Sequence, residues 1–326
     1  ALLSSGTAFA QGYAVYVSNE DSNDVTVIDG ASNAVVATIH VGKRPRGVRV
    51  SADGRTLYAA TSGSPKCPPT MSEEACEAQI ADKTLDGITV VDTLSRTVTR
   101  VLPSGSDPEQ FDVVGGRIFV SNEDANTTSI VDLATGAISS VPVGREPEGV
   151  KASPDGRFVL VTAETDHSVT ILDAASGAAL GAVEVGLRPR DIAFSPDAAL
   201  AYVSAELSRS VAIVDMRTRA RVGAIELPEG ALSMGLAVSP RGDRLYVANG
   251  RARTVSAIDL ATRSVIASVE VGQRPWGIAL SPDGTRLYTA NGPSNDVAVV
   301  DTTSFEVVAR IAAGRSPWGV AVGRLP

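Results

Sequence analysis

The sequence predicts an all-β protein, a seven-bladed β-propeller of four-stranded antiparallel blades, and three observations predict it. A unit of roughly 42 residues recurs along the 326-residue chain, the period of a four-stranded blade. Each unit closes an alternating apolar run with an aspartate. There are seven such markers, Asp29, Asp92, Asp132, Asp173, Asp215, Asp259 and Asp301, with one long interval between the first two. The chain also carries 30 Gly and 18 Pro beside 44% hydrophobic residues, a turn-rich balance that suits many short strands and argues against a helical bundle.

Each unit holds four strand-like pieces. In the last full repeat they are Gly277 to Leu280, Leu287 to Ala290, Val297 to Asp301 and Val307 to Ile311, ordered outward from the ring axis. Ser281-Pro282-Asp283-Gly284 joins the first two, with Pro second and Gly fourth as a type I turn prefers, and Ser153-Pro154-Asp155-Gly156 repeats it. Every marker Asp is followed three positions later by Ser or Thr: Ser32, Ser95, Thr135, Ser176, Thr218, Thr262 and Ser304. Such an Asp accepts backbone N–H bonds across its turn, so the seven carboxylates read as structural caps. Residues 14 to 42 supply only the second, third and fourth strands of a blade. Trp318 to Val322 matches Trp276 to Leu280 and supplies the missing innermost strand. A blade shared by both ends of the chain leaves the ring no open edge.

Residues 11–326 therefore read as a single propeller, interrupted by an insertion at 62–86 that holds the two cysteines, Cys67 and Cys76. In an exported protein such a pair, with no His beside it, points to a disulfide rather than a metal site. Export is suggested by residues 1–10, ALLSSGTAFA, where Ala8-Phe9-Ala10 fits a small-x-small signal cleavage site and Gln11 would begin the mature chain. The alternative is a flexible N-terminal extension. With 29 basic and 37 acidic side chains the net charge is -8, the wrong sign for general attraction to nucleic acid or an anionic membrane. No apolar run approaches the roughly 18 residues that would span a bilayer as a helix.

Tyr16-Val17-Ser18-Asn19, Tyr246-Val247-Ala248-Asn249 and Tyr288-Thr289-Ala290-Asn291 are each followed by a Val-Ile-Asp-like strand and a Val-Gly-x-x-Pro loop. Over residues 14 to 323 the chain thereby resembles the YVTN family of β-propeller repeats. Four loop segments are similar to the subgroup named for association with PQQ-dependent catabolism. They are Pro103 to Phe111, Ser121 to Asp124, Val143 to Gly149 and Gly314 to Gly319. The resemblance implies a periplasmic protein associated with alcohol oxidation by quinoprotein dehydrogenases. Two departures stand out: Leu227 to Met234 replaces the Val-Gly-x-x-Pro loop, and the Cys-containing insertion lengthens one repeat.

Strand order puts the interblade loops and the second-to-third connections on one face of the ring, here the upper face. Its interblade loops contribute Arg44 and Arg46, Asp107 and Glu109, Glu146 and Glu148, Arg188 and Arg190, Arg274 and Trp276, and Ser316 and Trp318. The residue after each Pro begins an innermost strand. Arg46, Glu109, Glu148, Arg190, Trp276 and Trp318 should therefore surround the mouth of the central channel. Arginines beside two indoles suit a flat, anionic organic ligand, of which PQQ is one, because guanidinium forks pair with carboxylates and aromatic faces stack on conjugated rings. The alternative is that Arg and Glu of neighbouring blades pair with one another.

Glu20, Asp21, Glu123, Asp124, Glu164, Asp166 and Glu206 follow in the second-to-third loops and read as a solvated acidic rim, since no loop has the dense spacing of a calcium loop. His40 and His167 are far apart in the chain, no Cys-x-x-Cys-His or Gly-x-Ser-x-Gly occurs, and no metal ligand set or nucleophile emerges. The reading is a non-catalytic binding or accessory protein whose mouth takes a small anionic ligand, or a quinoprotein dehydrogenase or its cytochrome. Its rivals are a propeller lactonase using upper-face acids, His167 or a bound cation, and a single-strand nucleic-acid binder stacking bases on Trp276 and Trp318.

Overall fold

Seven four-stranded antiparallel sheets form the molecule in a computed structural model that describes residues 12–66, 71–72, 74–75 and 79–325. Residues 1–10 with the cleavage site, and Cys67 and Cys76 with their expected disulfide, lie outside the described residues. Blade 1 is Pro317–Arg324, Tyr13–Asn19, Asp24–Asp29 and Val35–His40. Blade 2 is Val48–Val50, Thr56–Thr61, Gly87–Asp92 and Thr97–Leu102. The innermost strands of blades 3 to 7 are Pro108–Val114, Pro147–Ala152, Pro189–Phe194, Ser233–Val238 and Pro275–Leu280. Each innermost strand touches those of the next blade on either side in a closed cycle. The ring closes as the repeats require, with Val15 opposite Val322, Tyr16 opposite Ala321 and Val17 opposite Val320.

The caps form in every blade. Asp29 Oδ1 accepts from the Ser32 amide at 2.8 Å and hydroxyl at 2.7 Å, and Asp92, Asp132, Asp173, Asp215, Asp259 and Asp301 repeat the pair with the Ser or Thr three residues on. These bonds favour the charged form and hold each carboxyl below its ordinary range.

Hydrophobic burial lies between blades. Leu160, Val169 and Ile171 of blade 4 interleave with Ile192, Val203 and Val214 of blade 5, and each of the other six interfaces has a cluster of the same kind. Second and third strands are consequently buried on both faces, while fourth strands alternate or face solvent. The Leu227 to Met234 departure is absorbed locally. The Leu227 amide donates to Arg209 O at 2.9 Å, the bond that Val185 makes to His167 and Val271 to Arg253 at the same place in their blades.

The innermost strands approach one another through glycine. A β-carbon at Gly149 would lie 2.3 Å from the carbonyl oxygen of Arg190. At Gly235 it would lie 2.3 Å from that of Trp276, at Gly277 2.7 Å from that of Trp318, at Gly319 2.6 Å from that of Arg46, and at Gly47 2.8 Å from that of Glu109. In each case the obstacle is rigid backbone of the next blade. We expect Gly235→Ala to lower stability by about 1–3 kcal/mol through overpacking, read as a lower urea midpoint with an unchanged slope.

Candidate functional site

At the upper end of the channel the innermost strands present, in ring order, Trp318, Arg46, Glu109, Glu148, Arg190, Met234 and Trp276. The loop before each strand is held by backbone. Arg44, Asp107, Glu146, Arg188, Arg274 and Ser316, the residues preceding proline, all adopt positive φ between 45° and 57°. Five of their carbonyls accept from the residue that follows the second strand: Glu123 N to Asp107 O at 3.1 Å, Glu164 N to Glu146 O at 3.0 Å, Glu206 N to Arg188 O at 3.0 Å, Glu20 N to Ser316 O at 2.9 Å, and Gly292 N to Arg274 O at 3.4 Å. Asn23, Asn126 and Asn295 accept from the amides of Arg44, Glu146 and Ser316. His167 takes the asparagine place, with Nδ1 3.4 Å from the Arg188 amide and 2.9 Å from Glu164 O, so it serves the turn.

The expectation of a solvated acidic rim holds for Asp21, Asp124 and Asp166, which are exposed, and is corrected for Glu20, Glu164 and Glu206, which are buried: each amide bonds the loop that opens its own blade, and the side chain lies over the channel mouth. There they meet the arginines. Arg190 Nε donates to Glu206 at 2.8 Å, and its Nη1 contacts both Glu148 and Glu164. Arg188 Nε pairs with Glu164 at 2.6 Å. Arg46 Nη2 donates to Asp107 at 2.5 Å, while its Nη1 contacts Glu109 and lies 3.6 Å from Glu123. Arg44 Nε pairs with Glu20 at 3.2 Å.

Burial, reinforced by the charge of Glu164, pushes the Glu148 carboxyl well up despite Arg190, whereas a hydrogen bond with Glu148, then Arg190 and Arg188, holds Glu164 down against its own burial. Burial, opposed by Arg46 and aided by Asp107 and Glu164, pushes Glu123 up to about 7. Asp107, Glu109 and Glu123 have ligand atoms within 4.8 Å of one another, a spacing that fits a cation, and the Arg46 guanidinium lies among them.

The opposite sector is apolar, with Met234 and Trp318 buried and Trp276 partly exposed. Trp276 and Trp318 stack with centroids 5.4 Å apart and planes at 21°. Arg274 lies 4.9 Å from the Trp276 centroid and Arg190 5.6 Å. Gly250 and Gly292 occupy the places that hold acids in blades 1, 3, 4 and 5, so no side chain from those places covers Met234 or Trp276. Arg274 is exposed and has no carboxylate or side-chain hydrogen-bond partner among the described residues. The six residues expected around the mouth are thus brought together with Arg44, Arg188 and Arg274 of the loops, and among these nine only Arg274, Trp276 and Trp318 escape the acid pairing. What the sequence reading missed was the inward turn of Glu20, Glu123, Glu164 and Glu206. Its signal was their shared place directly after a second strand.

A model for the seven-bladed lactonase β-propeller matches residues 150–306, and one for YNCE-like β-propellers matches residues 83–201. Antigen Lp49 of Leptospira interrogans is 26% identical over 153 residues, a stretch that is 45% of this chain and 30% of that protein's length. A hydrazine synthase chain of Kuenenia stuttgartiensis superposes with a TM-score of 0.75 at 22% identity, over 89% of this chain and 92% of its own. A Bacteroides uniformis chain whose assignment as a 6-phosphogluconolactonase is itself provisional gives 0.76 at 17%, over 96% and 99%. At these identities the structural likenesses establish the fold alone.

Two outcomes follow from the ion-pair geometry. Arg190→Leu leaves buried carboxylates without their counter-charge and should cost about 3–5 kcal/mol in a denaturation series at pH 7. A carboxyl raised in the folded state favours folding fully below its ordinary range and loses that contribution as pH rises through its folded value. Wild-type stability should therefore decline between about pH 5 and 8. Glu123→Gln should decline less steeply over that window.

Proposed function

We propose that this protein is a non-catalytic binding propeller, exported to the periplasm, that serves PQQ-dependent alcohol oxidation by holding a flat anionic molecule, or a quinoprotein dehydrogenase or its cytochrome, at its upper mouth. One observation carries the reading: Arg274, without an acidic partner, stands over a stacked pair of indoles. Its guanidinium offers a fork to a carboxylate, and the indole beside it offers a face to a conjugated ring. The PQQ context rests on the loop segments from Pro103 to Phe111, Ser121 to Asp124, Val143 to Gly149 and Gly314 to Gly319. The paired state of Arg44, Arg46, Arg188 and Arg190 narrows the ligand contact to one sector and gives those four the task of shaping the mouth.

A second reading, a lactone hydrolase, draws on the match of residues 150–306 to the lactonase model and on Glu148, a carboxyl at the mouth that burial pushes well up, as a general acid requires. A panel of sugar lactones separates the two. Turnover that is lost in Glu148→Gln would favour the hydrolase.

Calorimetry with PQQ, and with a purified quinoprotein dehydrogenase and its cytochrome, tests the first reading. Binding should quench indole fluorescence, and Arg274→Ala should weaken it about 2- to 30-fold, the range of one cation-aromatic contact. If wild type binds none of the three, or if the variant binds as wild type does, the mouth assignment fails.

A further inference from the structure

Below the mouth, the channel widens into a cavity of about 380 Å³ that none of the seven mouth side chains lines. Its walls come from equivalent positions of the seven innermost strands. Register fixes the equivalence: Arg49, Asp112, Lys151, Ala193, Ala237, Ala279 and Ala321 pair respectively with Tyr58, Phe119, Leu160, Tyr202, Tyr246, Tyr288 and Tyr16 of their second strands. Alanine is thus the residue of blades 5, 6, 7 and 1. Three consecutive blades replace it with Arg, Asp and Lys. Two strand positions earlier, where five blades have the close-packed glycine, blades 3 and 5 have Gln110 and Asp191. The lumen therefore has a polar wall of Arg49, Gln110, Lys151 and Asp191, and an apolar wall built by blades 6, 7 and 1 from Leu236, Ile278 and Val320.

The hydrogen bonds on the polar wall are unevenly spent. Asp112 gives its oxygens to the amides of Val113 at 2.9 Å and Ala152 at 3.0 Å. Asp191 gives its own to Ile192 at 2.8 Å and Leu236 at 2.9 Å. Both acids are thereby engaged by backbone, in each case including an amide of the next blade. The cations are only partly matched: Arg49 Nη1 donates to Val48 O at 2.8 Å, and Arg49 and Lys151 share the one Asp112 carboxylate. Arg49 Nε is buried without a hydrogen-bond partner and stands 3.5 Å from Asp112, and Lys151 Nζ stands 4.0 Å from it with no hydrogen bond among the described residues. Gln110 Oε1 is buried and also unpartnered. The buried Arg49 Nε carries a desolvation cost that an acceptor in the lumen would relieve, and the partly exposed Lys151 ammonium stands beside it.

We infer that this lower chamber binds a small carboxylic acid with an apolar body. The carboxylate lies between Arg49 and Lys151, and the body lies against blades 6, 7 and 1. The cavity volume falls within the range of small-molecule sites, roughly 300–1,000 Å³. Charge-assisted bonds from two cations fix one end, and the alanines on the facing strands leave room for the other. Gln110 Oε1 adds an acceptor for a hydroxyl on the same molecule. The chamber and the upper mouth share no contact side chain, so this site stands or falls apart from the mouth ligand.

The test is calorimetry of the full chain with octanoate at pH 7, beside octanol and octylamine of the same chain length. Octanoate should bind one to one and the two others at least about tenfold more weakly. Lys151→Met keeps the aliphatic stem and removes the charge, and should weaken octanoate about tenfold or more. Arg49→Gln provides a second variant with the same expectation, and circular dichroism checks that each variant retains its fold. Ala279→Leu narrows the apolar side without altering charge and should also weaken binding. The inference is overturned if octanoate gives neither heat nor ligand-observed saturation transfer at millimolar concentration. It is equally overturned if octanol binds as well as octanoate, or if both charge variants bind octanoate as wild type does.

Discussion

The architecture depends on a constraint at the axis, where the carbonyl oxygen of one innermost strand lies where a β-carbon of its neighbour would have to be. Gly47, Gly149, Gly235, Gly277 and Gly319 satisfy it. Everything outward follows from this contact. It brings adjacent blades close enough for their second and third strands to bury both faces against each other. Within each blade the pairing of first and second strands then runs on into the loop above, so that Glu164 bonds Glu146 and Glu206 bonds Arg188. The exceptions, Gln110 and Asp191, stand at this same tight level, and both line the chamber.

A seam of polarity runs through the whole channel. Blades 2 to 5 carry most of the paired arginines and acids of the mouth and the polar wall of the chamber, while blades 6, 7 and 1 carry Met234, Trp276 and Trp318 above, with Arg274 over the indole and Glu20 reaching Arg44, and aliphatic residues below. The ring order explains why the charges tolerate burial. Arg46 is next to Glu109 and Arg190 next to Glu148, so each guanidinium finds a carboxylate on the adjoining blade without crossing the axis. Mixing the two kinds of residue around the ring would separate these partners and leave charges unpaired, at a cost of several kcal/mol each. Segregation thus serves stability and leaves one side of the ring free for apolar contact.

How much of this was legible in the sequence varies with how local the determining interaction is. The seven caps were readable because Asp and Ser or Thr meet within a single turn. The closure by Trp318 to Val322 was readable because a strand was missing at one end and supernumerary at the other. The mouth residues were readable because proline marks the start of each innermost strand except that of blade 6, where Leu227 to Met234 departs. Glu164 and Glu206 were misread as solvated because their orientation is set by a bond to the loop that opens their own blade, 18 residues earlier in the chain, and by the arginines they meet at the mouth. The triplet Arg49, Asp112 and Lys151 is legible once the repeats are stacked by register, since the same place is alanine in the other four. What no single repeat could reveal is that Asp112 and Asp191 are committed to amides of the next blade.

The closing strand has a kinetic meaning. Ser18 Oγ accepts from the amide of Gly319 across 301 positions of sequence, and the register of blade 1 is completed by Pro317–Arg324. During synthesis, blades 2 to 7 can each assemble from contiguous chain in the order in which they emerge. Blade 1 cannot, and Tyr13–Asn19 must wait with one edge unsatisfied until almost the entire polypeptide is available. Contacts so distant in sequence slow the last step of folding. The nascent ring therefore persists as an open spiral with an adhesive lip, the interval in which a chaperone has most to shield and in which two copies could exchange their final strands.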